Sequence, residues 1–233
     1  MQWSYGVLTV PSRKDGLFPD TVASLSAAGF PNPRLFIDGA EDGREYSHIG
    51  SPASITCHSP AVGIFSNWLL ALWELFYQSP HADRYVLFED DIIACKNLRQ
   101  YLELTGYPLR GFCNLYTWPQ NEMLFSKHRG TEKGWCPSLQ RGQGAVALMF
   151  DNYTASAILT NHQFIEQAKG TDDERICIDG GIMVTMKNMG WKEYVHSPSL
   201  VQHVGMTSVL GHDPFPQSTS FPGDEFDALE LVG

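Results

Sequence analysis

The chain has 233 residues, 43% of them hydrophobic, with a formal net charge of -10. That length holds one large α/β domain or two small ones, and the apolar share is ordinary for a globular protein. An acidic chain with a pI near 5.2 is poorly suited to broad electrostatic binding of nucleic acid or an anionic membrane.

The opening Met1-Gln2-Trp3-Ser4-Tyr5-Gly6 lacks the basic start and apolar run of a signal peptide, so a soluble, cytoplasmic protein with no membrane partner is expected. Tyr5 to Val10 reads as a buried strand stopped by Pro11, with the loop Ser12-Arg13-Lys14-Asp15-Gly16 at its carboxyl end. Asp20 and Thr21 open an amphipathic helix that carries Val22, Leu25 and Ala28 on one side and closes at Gly29. Pro33 to Gly39 is a second strand, ending in Asp38 and a glycine. A β-α-β start with charged strand ends is the opening of a nucleotide-binding half-domain. Neither a dinucleotide glycine fingerprint nor a P-loop is present, so phosphate must be held by other means, and a metal is one. Residues 40–63 show no periodicity and read as a loop. Phe65 to Tyr77 is a helix with Phe65, Trp68, Leu69, Leu72, Trp73 and Phe76 at helical spacing, its tryptophans read as core. Asn67 and Glu74 interrupt it, and it is too short to cross a bilayer.

Tyr85-Val86-Leu87-Phe88 is a strand that ends abruptly in Glu89-Asp90-Asp91. A core does not accept three adjacent unpaired acids, so they emerge where the strand leaves the sheet, the edge at which open α/β sheets bind ligands. A solvated acidic turn is the plainer reading. The other is a site for Mn²⁺ or Mg²⁺, which is held by oxygen ligands and takes phosphate oxygens in turn.

Asn97 to Leu104 follows as a short helix and Gly111 to Trp118 as a strand. Residues 119–143 hold the basic cluster Lys127, His128, Arg129, Lys133 and Arg141 without a regular pattern, and read as a mobile loop, either functional or merely solvated. Arg141-Gly142-Gln143-Gly144 runs into a buried strand, Ala145 to Phe150, and its glycines allow a ligand close to the backbone. Asn152 to Leu159 is helical, and Thr171-Asp172-Asp173-Glu174 is an acidic helix start. Ile178-Asp179-Gly180-Gly181 places one acid before two glycines and an apolar helix. Trp191 to Val195 is a strand, Ser199 to Gly205 an apolar segment carrying His203, and residues 212–233 a tail rich in Pro, Ser and Phe. The five cysteines form no CxxC pair, which suits reduced thiols and offers no zinc site. No repeat or linker divides the chain, so a single domain over 1–233 is expected.

Taken together, these pieces resemble the GT-A glycosyltransferases, which move a sugar from a nucleoside diphosphate donor. Glu89-Asp90-Asp91 looks like the DxD motif, Gly142-Gln143-Gly144 like the glycine loop near the acceptor, Asp179 like the catalytic acid at a helix start, and His203 like the C-terminal metal ligand. The resemblance covers roughly Tyr5 to Gly211 and implies an α/β fold, a single Rossmann-like domain with a mixed, mainly parallel central sheet flanked by helices. It implies Asp91 and His203 as ligands of Mn²⁺ or Mg²⁺, and Glu89 and Asp90 as donor contacts. It further implies a UDP-sugar donor whose nucleotide pocket is lined by Thr9, Pro11, Arg13 and Asp38, with Arg141 on the glycine loop. The loop bearing Lys127, Arg129 and Lys133 would close over the donor phosphates or meet an anionic acceptor. Two positions depart from the pattern. Glutamate replaces the first aspartate of the DxD, and the family's catalytic acid could fall on Asp172-Asp173-Glu174 rather than Asp179, which is preferred for the glycines after it.

On this reading an inverting enzyme uses Asp179 as general base on the acceptor hydroxyl; in a retaining enzyme Asp179 would bind acceptor or donor instead. The acceptor is open: a carbohydrate, a small molecule, or a hydroxymethylated DNA base as in phage enzymes of this architecture. Nucleotidyl transfer and a non-catalytic nucleotide- or carbohydrate-binding module are the rival readings.

Overall fold

A computed structural model describes residues 1–128, 133–168, 177–205 and 216–232. In chain order the first half contains β1 (Trp3–Thr9), α1 (Phe18–Ala27), β2 (Arg34–Asp38), β3 (Ser54–His58), α2 (Ile64–Gln78), β4 (Arg84–Glu89), β5 (Ile92–Ala94) and α3 (Leu98–Leu104). The second half contains β6 (Gly111–Asn114), α4 (Pro119–His128), β7 (Gly134–Pro137), β8 (Ala147–Asp151), α5 (Asn152–Leu159), α6 (His162–Ala168), α7 (Ile178–Asn188), β9 (Lys192–Ser197) and β10 (Val201–His203).

Among the described residues, eight strands form one sheet in the order β3-β2-β1-β4-β8-β6-β9-β7, and β5 with β10 forms a separate ribbon. Within the large sheet only β8 and β7 oppose the common direction, so the sheet is mixed and mostly parallel. Its two faces are each covered. Alternation along β4 sends Val86 and Phe88 into a core shared with α1 and α3, and Tyr85 and Leu87 into a second core under α2, α5 and α7. Trp68 is fully buried there, whereas Trp73 on the same helix is 41% exposed and lies on its solvent side.

Three segments carry more structure than their sequence suggests. The stretch 40–63 contains β3, an edge strand whose five residues are all half-buried and therefore show no apolar run. Residues 119–143 hold α4 and β7 rather than an unpatterned loop; β7 spans Gly134 to Pro137 and, among the described residues, pairs along one side only, with β9. The tail is anchored over 216–232. Ala228 and Leu231 enter the first core, Ala228 N donates to the Lys96 carbonyl at 2.9 Å, and the Ser218–Ser220 hydroxyls and amides surround the Glu122 carboxylate of α4. Arg129, Asp172, Asp173, Glu174 and the tail residues 212–215 lie outside the described residues, as does the side chain of Lys127. No helix among the described residues is long and apolar enough to cross a membrane.

Candidate active site

The carboxyl ends of β1, β2 and β4 meet at one edge of the sheet, and they deliver Thr9, Asp38 and Glu89 there. Because β8 runs antiparallel to β4, its amino end lies at the same edge, with Glu89 N donating to the Val146 carbonyl at 2.9 Å. That reversal carries the Gly142–Gly144 loop to the acids. The β5–β10 ribbon does the same for the end of the chain. Ile92 is the register partner of His203, and Val204 N donates to the Asp91 carbonyl at 2.9 Å.

Asp91 and His203, remote in sequence, are thus neighbours. Asp91 Oδ2 lies 3.1 Å from His203 Nε2 and 2.7 Å from Arg13 Nη1, and both Asp91 and His203 are buried. Burial works against the Asp91 charge, but His203 and Arg13 outweigh it and hold its carboxyl below the usual range. Asp91 Oδ1 is buried without a hydrogen-bond partner among the described residues. A buried carboxylate oxygen left unmatched is costly. Glu89, Asp91 and His203 offer ligand atoms that all lie within 4.8 Å of one another. Two carboxylates and an imidazole are a donor set suited to Mn²⁺ or a similar divalent ion, and the orphaned Oδ1 is an atom such an ion would satisfy.

The other acids are set by their surroundings. Burial pushes Glu89 up to about 8, and the charges of Asp91, Asp90 and Asp179 add to it. Burial also raises Asp90, to about 6, although its Oδ2 accepts the Thr9 hydroxyl at 2.6 Å. Three carboxylates packed this way cannot all ionise unless positive charge arrives. Arg13 supplies some: it ends the short 3₁₀ turn Pro11–Arg13, for which Pro11 fixes the backbone, and its Nη1 is 3.9 Å from Asp90 Oδ1. Asp38 is turned to a different task. Its two oxygens accept Val62 N at 2.7 Å and Gly63 N at 2.9 Å, closing the loop that leads into α2.

Asp179 stands in the first turn of α7, where a negative charge suits the helix dipole. Its Oδ2 accepts Gly144 N and its Oδ1 accepts Gly180 N, both at 2.9 Å. Gly142, at φ +64°, presses on it from the other side: a methyl built there would stand 2.4 Å from the Asp179 carbonyl oxygen. The loop has to be glycine because it touches the acid's backbone. Arg141 at its start is exposed, as is Lys133.

Two further features, the Asn114–Glu193 pair and Gly205, do not stand out in the sequence. Asn114 Nδ2 donates to the Gly144 carbonyl at 2.9 Å and to Glu193 Oε1 at 3.2 Å, and Glu193 Oε2 accepts the Ser138 hydroxyl at 2.5 Å. Glu193 is 2% exposed, and burial raises it to about 7 against the pull of those hydrogen bonds. Its inward position in β9 is the one signal that would have marked it. The other is Gly205, where a methyl would stand 2.2 Å from Asp91 Oδ2.

No family model and no curated relative matches the chain. Solved structures do. GalNAc-T7, solved with UDP, GalNAc and Mn²⁺, is 11% identical over 88% of this chain and 44% of its own, with a TM-score of 0.56. The apo glycosyltransferase GlyE of Streptococcus pneumoniae is 10% identical over 83% of this chain and 45% of its own, with a TM-score of 0.49. S. aureus TarS is 10% identical over 84% and 35%, also with a TM-score of 0.49. This chain therefore spans less than half the length of each of these three. The mixed sheet and the GalNAc-T7 match give the chain a GT-A-like glycosyltransferase fold.

Proposed function

We propose that the protein transfers a sugar from a nucleoside diphosphate donor, UDP-sugar first among them, to a hydroxyl acceptor, with a divalent cation at Asp91 and His203. One observation carries this reading: Asp91 and His203 converge at the carboxyl edge of the sheet, 3.1 Å apart, beside a buried Asp91 oxygen that has no hydrogen-bond partner among the described residues. The cation, when bound, offsets the negative charge that grows on the departing diphosphate.

The protein's own groups do the rest. Asp91, His203 and Glu89 would hold the ion. Thr9 fixes Asp90 at the donor side, while Pro11 and Arg13 form the rim over the phosphates, where a guanidinium pairs with two oxygens at once. Asp38 shapes the nucleotide pocket through the 62–63 backbone it holds. Asp179 takes the acceptor proton as the hydroxyl attacks. Its two backbone hydrogen bonds and the Cys177 thiol fix the carboxylate, whose four lone-pair sites still leave room for that proton. The GalNAc-T7 structure contains UDP and Mn²⁺, the same pair assigned here.

The test is UDP release from a panel of UDP-sugars with Mn²⁺, with and without acceptors. Release should require the metal and vanish in Asp91→Asn, but persist in Asp83→Asn at the opposite end of β4. Equal release from both variants would overturn the assignment.

A further inference from the structure

Arg13 reaches the same carboxylate that the proposed cation needs. Its Nη1 lies 2.7 Å from Asp91 Oδ2, with side-chain exposures of 17% for Arg13 and 5% for Asp91. The same Nη1 lies 3.9 Å from Asp90 Oδ1. Inside a partly dry site a divalent ion and a guanidinium on one carboxylate repel strongly. The arginine's backbone does not have to move for the pair to part. Arg13 N donates to the Val10 carbonyl at 3.0 Å and the Arg13 carbonyl accepts Gly16 N at 3.1 Å, so the turn stays closed while the long side chain swings.

We propose that Arg13 is an exchangeable counter-ion: it neutralises Asp91 while no cation is bound, competes with the cation for the Asp91 carboxylate, and passes to the donor phosphates once the cation arrives. This rests on the cation reading of the Asp91–His203 site. The exchange makes cation binding weak alone and stronger with a diphosphate, because the diphosphate accepts the released guanidinium. Cation and donor then load as a linked pair.

Mn²⁺ affinity without nucleotide, measured by electron paramagnetic resonance of the free ion, is the test. It compares the wild type with Arg13→Gln and Lys14→Gln. Both variants lose one positive charge, but Lys14 pairs with Glu45 at 2.6 Å, away from the acids. Arg13→Gln should bind Mn²⁺ about tenfold more tightly, the size of effect expected for removing a partly buried like charge. Lys14→Gln should stay near the wild type. Equal or weaker binding by Arg13→Gln would overturn the exchange while leaving the cation site standing. Absence of Mn²⁺ binding in all three proteins would remove the site and the exchange together. In the wild type the Arg13 Nε resonance should move on Mg²⁺ titration, and a resonance that stays put while Mg²⁺ binds also overturns the proposal.

Discussion

Gly205 lies so close to Asp91 that a methyl group on it would stand 2.2 Å from Oδ2 and 3.0 Å from His203 Cε1. The backbone after β10 therefore forms one wall of the candidate ion site, and a side chain there must displace one of the two ligands. Gly205→Ala should weaken Mn²⁺ binding by about tenfold or more, the effect of a ligand moved off its position. Isothermal titration with Mn²⁺ checks this. Unchanged affinity would mean that the ion does not use Asp91 Oδ2.

Both Asp179 oxygens accept backbone amides, so asparagine keeps the volume but only one of the two acceptors. Asp179→Asn should lower sugar transfer by about 10²- to 10⁴-fold, as for the loss of a general base, and leave Mn²⁺–UDP affinity unchanged. Turnover with a positive acceptor from the panel, set beside UDP titration, separates the two effects. A variant that transfers normally would take the base role away from Asp179.

His196 sets a pH dependence of stability. It is fully buried, its Nδ1 is 2.6 Å from the Pro198 carbonyl and its Nε2 is 2.6 Å from the Tyr101 hydroxyl. A carbonyl only accepts, so Nδ1 carries the proton and Nε2 accepts from Tyr101, which describes a neutral ring. Burial pushes His196 down from 6.5 to about 4, with the Pro198 hydrogen bond opposing. The unfolded chain then binds the extra proton first, so stability falls as pH drops from 6.5 to 4, by about 3 kcal/mol at most. His196→Phe leaves the Tyr101 hydroxyl without its acceptor and should cost about 1–3 kcal/mol at pH 8. That deficit should shrink toward pH 4, because the variant has no proton to take up. Urea unfolding of both proteins across this range measures the gap, and titration of Glu193 is common to both. A constant gap would contradict a buried neutral ring.

The parts of the fold that were legible are those with a strong apolar period. Tyr85 to Phe88 is buried as its pattern implies, and the Phe65–Tyr77 helix buries Phe65, Trp68, Leu69 and Leu72 but not Trp73, which was read as core. Edge elements were not legible. Ser54–His58 pairs only with β2 and is half-buried throughout, and the Gly134–Pro137 strand owes its conformation to β9 rather than to its own residues. The direction of β8 is equally hidden, since a buried strand reads the same either way round. At the site, three acids after a strand announced a ligand edge. The meeting of Asp91 with His203 depended on Ile92–Ala94, a three-residue strand too short to show a period, and so came from family resemblance alone. Asn114 and Glu193 look like ordinary strand residues until their partners are seen.

The ribbon that joins Ile92–Ala94 to Val201–His203 also has a bearing on biosynthesis. A ribosome exposes the acids of β4 long before it exposes the imidazole that faces them. A chain interrupted ahead of β10 would carry every carboxylate of the cluster and still lack half of the grip on an ion. The imidazole side of the proposed site is thus present only in chains that extend through β10.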